Sequence, residues 1–211
     1  MIGPLIAVCA VACAGLLASD RLGSRLGVWI CKPLAAAAFV GVGLASGPFE
    51  SDFGRWILLG LCLSCLGDVL LIPKQAPKMF LAGIGSFLLG HVAYCGAFLS
   101  VAFSAPGLAL GALIALPGAI FVMRWLHPKL SGVFVHAVPL YVIVIAAMLM
   151  LSGSASSALA QADLFAGAFM FAASDVSVAR DRFVEQAFVN GAWGLPLYFA
   201  AQIVLALSSG R

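Results

Sequence analysis

Charged residues are scarce in this chain: they make up only 9% of its 211 residues, whereas soluble domains contain about 25%. Hydrophobic residues make up 64%, and the mean hydropathy is +1.14. A surface with so little charge is solvated by lipid, so a soluble globular protein is excluded. Each membrane-spanning helix needs about 20 apolar residues, so eight of them would use roughly 160 residues and leave no room for a separate soluble domain.

Basic residues are also few, and they do not cluster. The eleven Lys and Arg residues, which give a net charge of +3, occur singly in loops rather than on one face. We therefore expect no nucleic acid partner and interpret these residues as topology signals. The six cysteines lie inside apolar stretches, where cysteine behaves as a small hydrophobe, so no disulfide framework is predicted.

Several enzyme motifs are missing from the sequence. It contains no Walker motif, no HExxH and no GxSxG nucleophile motif. It has only three histidines, and His127 falls in a predicted loop, so a three-histidine zinc site has little support. We expect neither a metal nor a cofactor.

Long apolar runs dominate what is present. They are continuous rather than alternating with period two, which favours helices over a β-barrel. The sequence therefore predicts an all-α, polytopic bundle of about eight transmembrane helices that forms a single domain over residues 1–211. The first run resembles a signal-peptide core but lacks a basic segment before it, so we expect it to be retained. The predicted spans are 4–18, 28–46, 56–73, 79–101, 106–126, 133–152, 160–180 and 187–208.

The distribution of basic residues predicts the orientation. Even-numbered loops contain Arg55 alone, beside Glu50 and Asp52. By the positive-inside rule, the odd-numbered loops are cytoplasmic and both termini are periplasmic. The Ala- and Gly-rich composition is typical of bacteria and indicates the inner membrane. The basic residues of the odd-numbered loops are Arg21, Arg25, Lys74, Lys78, Arg124, Lys129, Arg180 and Arg182.

Small residues recur at helix-packing intervals on two neighbouring spans. Because small side chains let helices approach closely, we predict that these faces are turned towards protein rather than lipid. They are Gly60, Ser64 and Gly67 on the third span and Gly83, Ser86 and Gly90 on the fourth.

Two carboxylates lie clearly inside predicted spans, Asp68 and Asp175. An ionisable side chain in hydrocarbon is costly, so its presence indicates a functional site. From the predicted span starts, Asp68 lies about 18 Å and Asp175 about 23 Å along its helix. Both spans run inwards, so the sequence predicts that the two carboxylates share a depth in the cytoplasmic half of the membrane.

Further polar groups are predicted at a similar depth. Each also has a simpler interpretation: Lys32 at the start of its span can extend to the interface, and His91 can be a satisfied core residue. Asp68 and Asp175 can likewise be structural partners of Lys32 or Arg180. The candidate supporting residues are His91, Tyr94, Tyr141, Asn190 and Tyr198.

Two neighbouring carboxyls can act together as an acid and a base, one carrying a proton and the other ionised. Such a pair suits reactions that pass through an oxocarbenium-like ion, including the hydrolysis of glycosides and of vinyl ethers. Intramembrane carboxylates also serve proton- or cation-coupled transporters. A non-catalytic lipid-binding or assembly protein is a third possibility, and it would tolerate Asp68→Asn.

Sequence motifs on five spans resemble the YhhN-like lysoplasmalogenase family, and the resemblance covers the chain from about residue 30 to its end. The motifs are KP at Lys32 and Pro33, SxxGDxLL from Ser64 to Leu71, GHxxYxxxF from Gly90 to Phe98, SDxxVAxxRF from Ser174 to Phe183 and PLYFAAQ from Pro196 to Gln202.

This resemblance implies an integral membrane ether hydrolase that cleaves the vinyl ether bond of lysoplasmalogen. The products would be a fatty aldehyde and a glycerophospho-ethanolamine or glycerophospho-choline. It implies that Asp68 and Asp175 are the metal-independent acid and base and that His91 and Tyr94 orient them. Lys32, Arg180 and Arg182 are then candidate contacts for the phosphate of the lysophospholipid substrate, near the cytoplasmic interface.

Overall fold

The computed structural model describes residues 1–73 and 76–211; the predicted topology residue Lys74 lies outside them. These described ranges contain eight α-helices, a short 3₁₀ helix at His127–Lys129 and no strand. The helices are α1 (Ile2–Arg21), α2 (Arg25–Ala45), α3 (Asp52–Leu70), α4 (Pro77–Leu99), α5 (Ala105–Leu126), α6 (Phe134–Leu159), α7 (Ala162–Phe183) and α8 (Phe188–Ser208). The all-α class is therefore confirmed.

All eight helices are long and apolar enough to cross a membrane, as the sequence predicts, and the chain is an integral membrane protein. Most boundaries lie within three residues of the predicted ones, and two differ by more. Helix α3 begins at Asp52 because the Ser51 hydroxyl accepts a hydrogen bond from the Gly54 amide, which caps the first turn.

Helix α6 continues to Leu159, seven residues beyond the predicted end of its span. The extension is rich in serine, and a serine-rich stretch is typical of a loop, so the predicted span ends before it. The serines of this extension bond to other helix starts instead: the Ser156 hydroxyl accepts from the Phe165 amide at 2.8 Å, and the Ser157 hydroxyl accepts from the Ser104 hydroxyl at 2.9 Å, so their polarity is satisfied without water. The helix ends at Ala160, whose φ of 55° is left-handed.

The chain forms two compact units. The first contains residues 1–97 and 202–211, and the second contains residues 98–201. The single domain predicted for residues 1–211 remains a prediction.

Within the first unit, α3 and α4 pack through the predicted small residues. A side chain at Gly67 would meet the ring of Phe87, and one at Gly90 would lie 3.3 Å from the Gly60 carbonyl. The Ser86 hydroxyl donates to the Leu63 carbonyl across the interface at 2.6 Å. Because these groups leave no space for larger residues, the protein-facing prediction is confirmed.

Within the second unit, α5 and α6 approach even more closely, which the sequence analysis did not predict. A side chain at Gly107 or Gly153 would collide with the backbone of the other helix. The Ser104 amide donates to the Ser154 hydroxyl at 2.9 Å, so the start of α5 is also tied to the end of α6.

Candidate functional site

The predicted catalytic residue Asp68 forms an ion pair with Lys32. The Lys32 Nζ lies 3.3 Å from the Asp68 Oδ1, and the side chains are 12% and 2% exposed. Helix α2 begins at Arg25, so Lys32 lies two turns inside the helix rather than at its start. An ion pair this well buried is only weakly screened by water, which strengthens the interaction between the charges.

Two more predicted site residues, His91 and Tyr94, lie fully buried one turn apart on α4. The His91 Nδ1 donates to the Phe87 carbonyl at 2.7 Å. The Tyr94 hydroxyl donates to the Gln202 Oε1 at 2.6 Å, which ties α4 to the last turns of α8. The side chain of Tyr94 also packs against Gly60, where a larger residue would meet its ring.

Buried polar atoms continue towards Asp68. Ser64 lies one turn before Asp68 on α3, and both side chains are buried. Among the described residues, neither the Ser64 Oγ nor the Gln202 Nε2 has a hydrogen-bond partner. Buried polar atoms of this kind are often satisfied by ordered water, so the interior next to Asp68 is chemically suited to hold water.

The second predicted carboxylate, Asp175, lies half-buried on α7. The Tyr141 hydroxyl of α6 donates to its Oδ2 at 3.3 Å. Tyr141, one of the predicted supporting residues, therefore contacts one of the two predicted catalytic carboxylates. Both residues belong to the second compact unit, and Asp68 and Lys32 belong to the first. The pairing of the two aspartates remains a prediction.

Arg180 and Asn190 join the ends of α7 and α8. The Arg180 guanidinium donates to the Asn190 Oδ1 at 2.7 Å and to the Glu185 carboxylate at 3.0 Å. The Asn190 amide donates to the Asp181 carboxylate at 2.9 Å and to the Glu185 carbonyl at 2.7 Å. The sequence analysis overlooked Asp181 and Glu185, although the charged run from Arg180 to Glu185 was a signal of such a network.

The remaining predicted residues make mainly aromatic contacts. The exposed Arg182 has its guanidinium carbon 6.0 Å from the centre of the Phe134 ring. Tyr198 is 6% exposed, and its ring centre lies 5.5 Å from that of Phe171 and 4.9 Å from that of Phe199. The predicted roles of Arg182 in headgroup binding and of Tyr198 in catalysis remain predictions.

A cleft of about 540 Å³ opens at one end of the first unit, and the sequence analysis did not identify it. It lies between the α1–α2 turn and three residues that follow α3, namely Ile72, Pro73 and Ala76. The sequence gives only a weak signal, the basic residues of the turn. The cleft is lined by Ser19, Asp20, Gly23, Ser24, Arg25, Val28, Trp29, Ile72, Pro73 and Ala76.

The histidines do not assemble a metal centre. His91 is buried on α4, whereas His127 and His136 are exposed. In residues 1–73 and 76–211, no three His, Cys, Asp or Glu side chains lie close enough together to hold a metal ion.

The fold and the buried ion pair define a helical integral membrane protein with an intramembrane carboxylate. The YhhN family model matches residues 27–209, and the chain belongs to this family. The five motifs singled out in the sequence all lie inside the matched region.

Curated relatives carry more specific names. The chain is 33% identical over 162 residues to the lysoplasmalogenase TMEM86A of Bos taurus, an alignment that covers 72% of this chain and 64% of the relative. It is 30% identical over 182 residues to a lysoplasmalogenase of Mycobacterium tuberculosis, with 81% and 67% coverage. An Escherichia coli relative called uncharacterized membrane protein YhhN is 35% identical over 95 residues, with 44% and 43% coverage.

The chain thus spans about two thirds of the length of the bovine and mycobacterial relatives. No solved structure matches it.

Proposed function

We propose that the chain is a lysoplasmalogenase, which hydrolyses the vinyl ether bond of a 1-alkenyl-lysoglycerophospholipid in the bacterial inner membrane. The observation that supports this most directly is the buried Asp68 carboxylate, paired with Lys32 inside a membrane helix. The relatives named lysoplasmalogenase in cattle and mycobacteria support the same activity.

The proposed reaction begins with proton transfer from one carboxylic acid to the alkenyl carbon that does not carry oxygen. The electron pair of the double bond forms the new C–H bond, and the adjacent carbon becomes an oxocarbenium ion. The second carboxylate removes a proton from water as the water oxygen attacks that ion. The resulting hemiacetal separates into a fatty aldehyde and the free hydroxyl of glycerophospho-ethanolamine or glycerophospho-choline.

Asp68 and Asp175 share the roles of acid and base in this proposal. Lys32 holds the Asp68 carboxylate in position, and Tyr141 does so for Asp175. His91 and Tyr94 fix the interior of α4 through their contacts with Phe87 and Gln202. The supporting roles of Asn190 and Tyr198 and the headgroup roles of Lys32, Arg180 and Arg182 are part of the same proposal.

The test is aldehyde release from an alkenyl lysophospholipid by the purified protein in detergent. We expect Asp68→Asn and Asp175→Asn each to reduce the rate by at least a hundredfold, because general acid or base catalysis is typically worth that much. A chelator should leave the wild-type rate unchanged.

Two controls separate chemistry from folding. The double variant Lys32→Gln/Asp68→Asn removes both charges of the ion pair, so it should fold but remain inactive. Asp163→Asn changes a carboxylate in the first turn of α7 instead of Asp175 and should keep its activity. Folded wild-type protein that releases no aldehyde would contradict the proposal, and proton-dependent uptake into vesicles would then indicate a transporter.

A further inference from the structure

The cleft at the end of the first unit has the size of a ligand site. Its volume of about 540 Å³ falls within the range of about 300–1,000 Å³ that is usual for small-molecule pockets. Its wall combines a cation, Arg25, a carboxylate, Asp20, and an indole ring, Trp29. An apolar cavity that receives only an acyl chain needs none of these groups.

Arg25 is the best-placed group for an anion. It is exposed at the first position of α2, and among the described residues it makes no hydrogen bond or ion pair. A guanidinium presents several donors in a fork that fits a phosphate. Arg21, on the other side of the same turn, does not line the cleft.

Asp20 and Trp29 provide the complementary chemistry for a cation. A carboxylate attracts an ammonium group, and the face of an indole ring binds quaternary ammonium ions well. A ligand that carries both a phosphate and an ammonium group would therefore find a matching group for each charge in the lining of the cleft.

Two residues that line the cleft lie one turn away from the buried ion pair. Val28 lines the cleft, and Lys32 lies one turn further along α2; Ile72 lines it, and Asp68 lies one turn earlier in the chain. One helical turn is about 5.4 Å. In a lysoglycerophospholipid, the glycerol carbons separate the ether oxygen from the phosphorus by a comparable distance.

We infer that this cleft binds the zwitterionic headgroup of a single-chain glycerophospholipid, with its phosphate on Arg25 and its ammonium group near Asp20 and Trp29. The inference rests on the proposed function for the identity of the lipid, since the vinyl ether bond would then lie at Asp68. Asp20 and Arg25 precede residue 27, where the family match begins. Headgroup preference is thus set partly by residues outside the matched region.

The binding test uses a saturated 1-alkyl lysophosphatidylcholine, which has the same headgroup but no vinyl ether bond to cleave. Its Kd for the purified full-length protein is measured by isothermal titration calorimetry. We expect Arg25→Gln to weaken binding about tenfold or more, because a charged hydrogen bond is lost. Arg21→Gln, the matched control, should stay within about twofold of the wild type. Equal Kd values for Arg25→Gln and wild type would overturn the inference.

A second comparison tests the ammonium contact and the source of the phosphate. Asp20→Asn should weaken the choline lipid several-fold more than a 1-alkyl lysophosphatidic acid, which lacks the ammonium group; equal losses would overturn that assignment. Glycerophosphocholine without a chain should bind far more weakly than the lipid. If it binds as tightly, the ligand is a free phosphodiester and the lipid assignment is wrong.

The same samples separate this inference from the proposed function. Arg25-dependent lipid binding without aldehyde release from the alkenyl substrate would support the headgroup site and contradict the hydrolase. Aldehyde release with a KM that is unchanged in Arg25→Gln would support the hydrolase and overturn the site.

Discussion

At the scale of single residues, the ion pair between Lys32 and Asp68 is the feature on which the stability of the fold depends most. Taking both charges out of water is costly, and the cost is offset only while each charge keeps its partner. The sequence identified Asp68 as a buried carboxylate and named Lys32 as a possible partner. It did not predict the depth of Lys32, because α2 begins at Arg25, three residues before the predicted span.

Removing either partner of this pair should destabilise the protein. Lys32→Met leaves a 2% exposed carboxylate without a counter-charge, which costs about 3–5 kcal/mol of unfolding free energy in comparable cases. Asp68→Leu should cost a similar amount, whereas the double variant Lys32→Met/Asp68→Leu should recover much of the loss. Thermal unfolding in detergent measures all three. Additive losses in the double variant would show that the two charges do not depend on each other.

At the scale of helices, the interface of α3 and α4 was predictable because glycine and serine recur on a helical period. The close approach of α5 and α6 follows the same physics: Gly107 and Gly111 lie one turn apart on α5 and both face the α6 backbone, a spacing that was present in the sequence but was not used for a prediction. The long α6 was missed because serine is ambiguous: its hydroxyl can bond to water in a loop or to a neighbouring helix, as Ser156 does with the Phe165 amide.

Gly60 on α3 gives a sharp test of this packing. A methyl group there would meet the ring of Tyr94, which is held by its hydrogen bond to Gln202. Gly60→Ala should therefore lower the free energy of unfolding by about 1–3 kcal/mol, as overpacked cores do. Gly85→Ala on α4 meets nothing within 4 Å and should be neutral or slightly stabilising. Equal effects of the two substitutions on thermal unfolding would contradict the close packing of α3 and α4.

At the scale of the whole molecule, charge and helix order are the main guides to topology. In the first unit, one end carries Arg21 and Arg25 on the α1–α2 turn, and the other end carries Asp52 and Arg55, which pair with each other at 3.0 Å. The sequence predicts eight spans and their alternation from composition alone. It could not predict the cleft, because a cavity depends on how helix ends are spaced and not on the character of any one segment.

The predicted orientation has a direct test. Alkaline phosphatase fused after Arg211 should be active, because the positive-inside rule leaves both termini in the periplasm. The same enzyme inserted after Gly23, in the basic turn, should be inactive. The reverse pattern would show that the basic residues do not set the orientation, and it would move the proposed headgroup cleft to the periplasmic face.

The central claim is that carboxylates of this chain protonate a vinyl ether at carbon. The most direct measurement is hydrolysis of an alkenyl lysophospholipid in D₂O. The aldehyde is reduced at once with borohydride, and the deuterium content of the resulting alcohol is measured by mass spectrometry. We expect one deuterium on the carbon next to the former aldehyde carbon, and no label in free aldehyde incubated under the same conditions. Aldehyde released without that deuterium would contradict proton transfer to the alkenyl carbon.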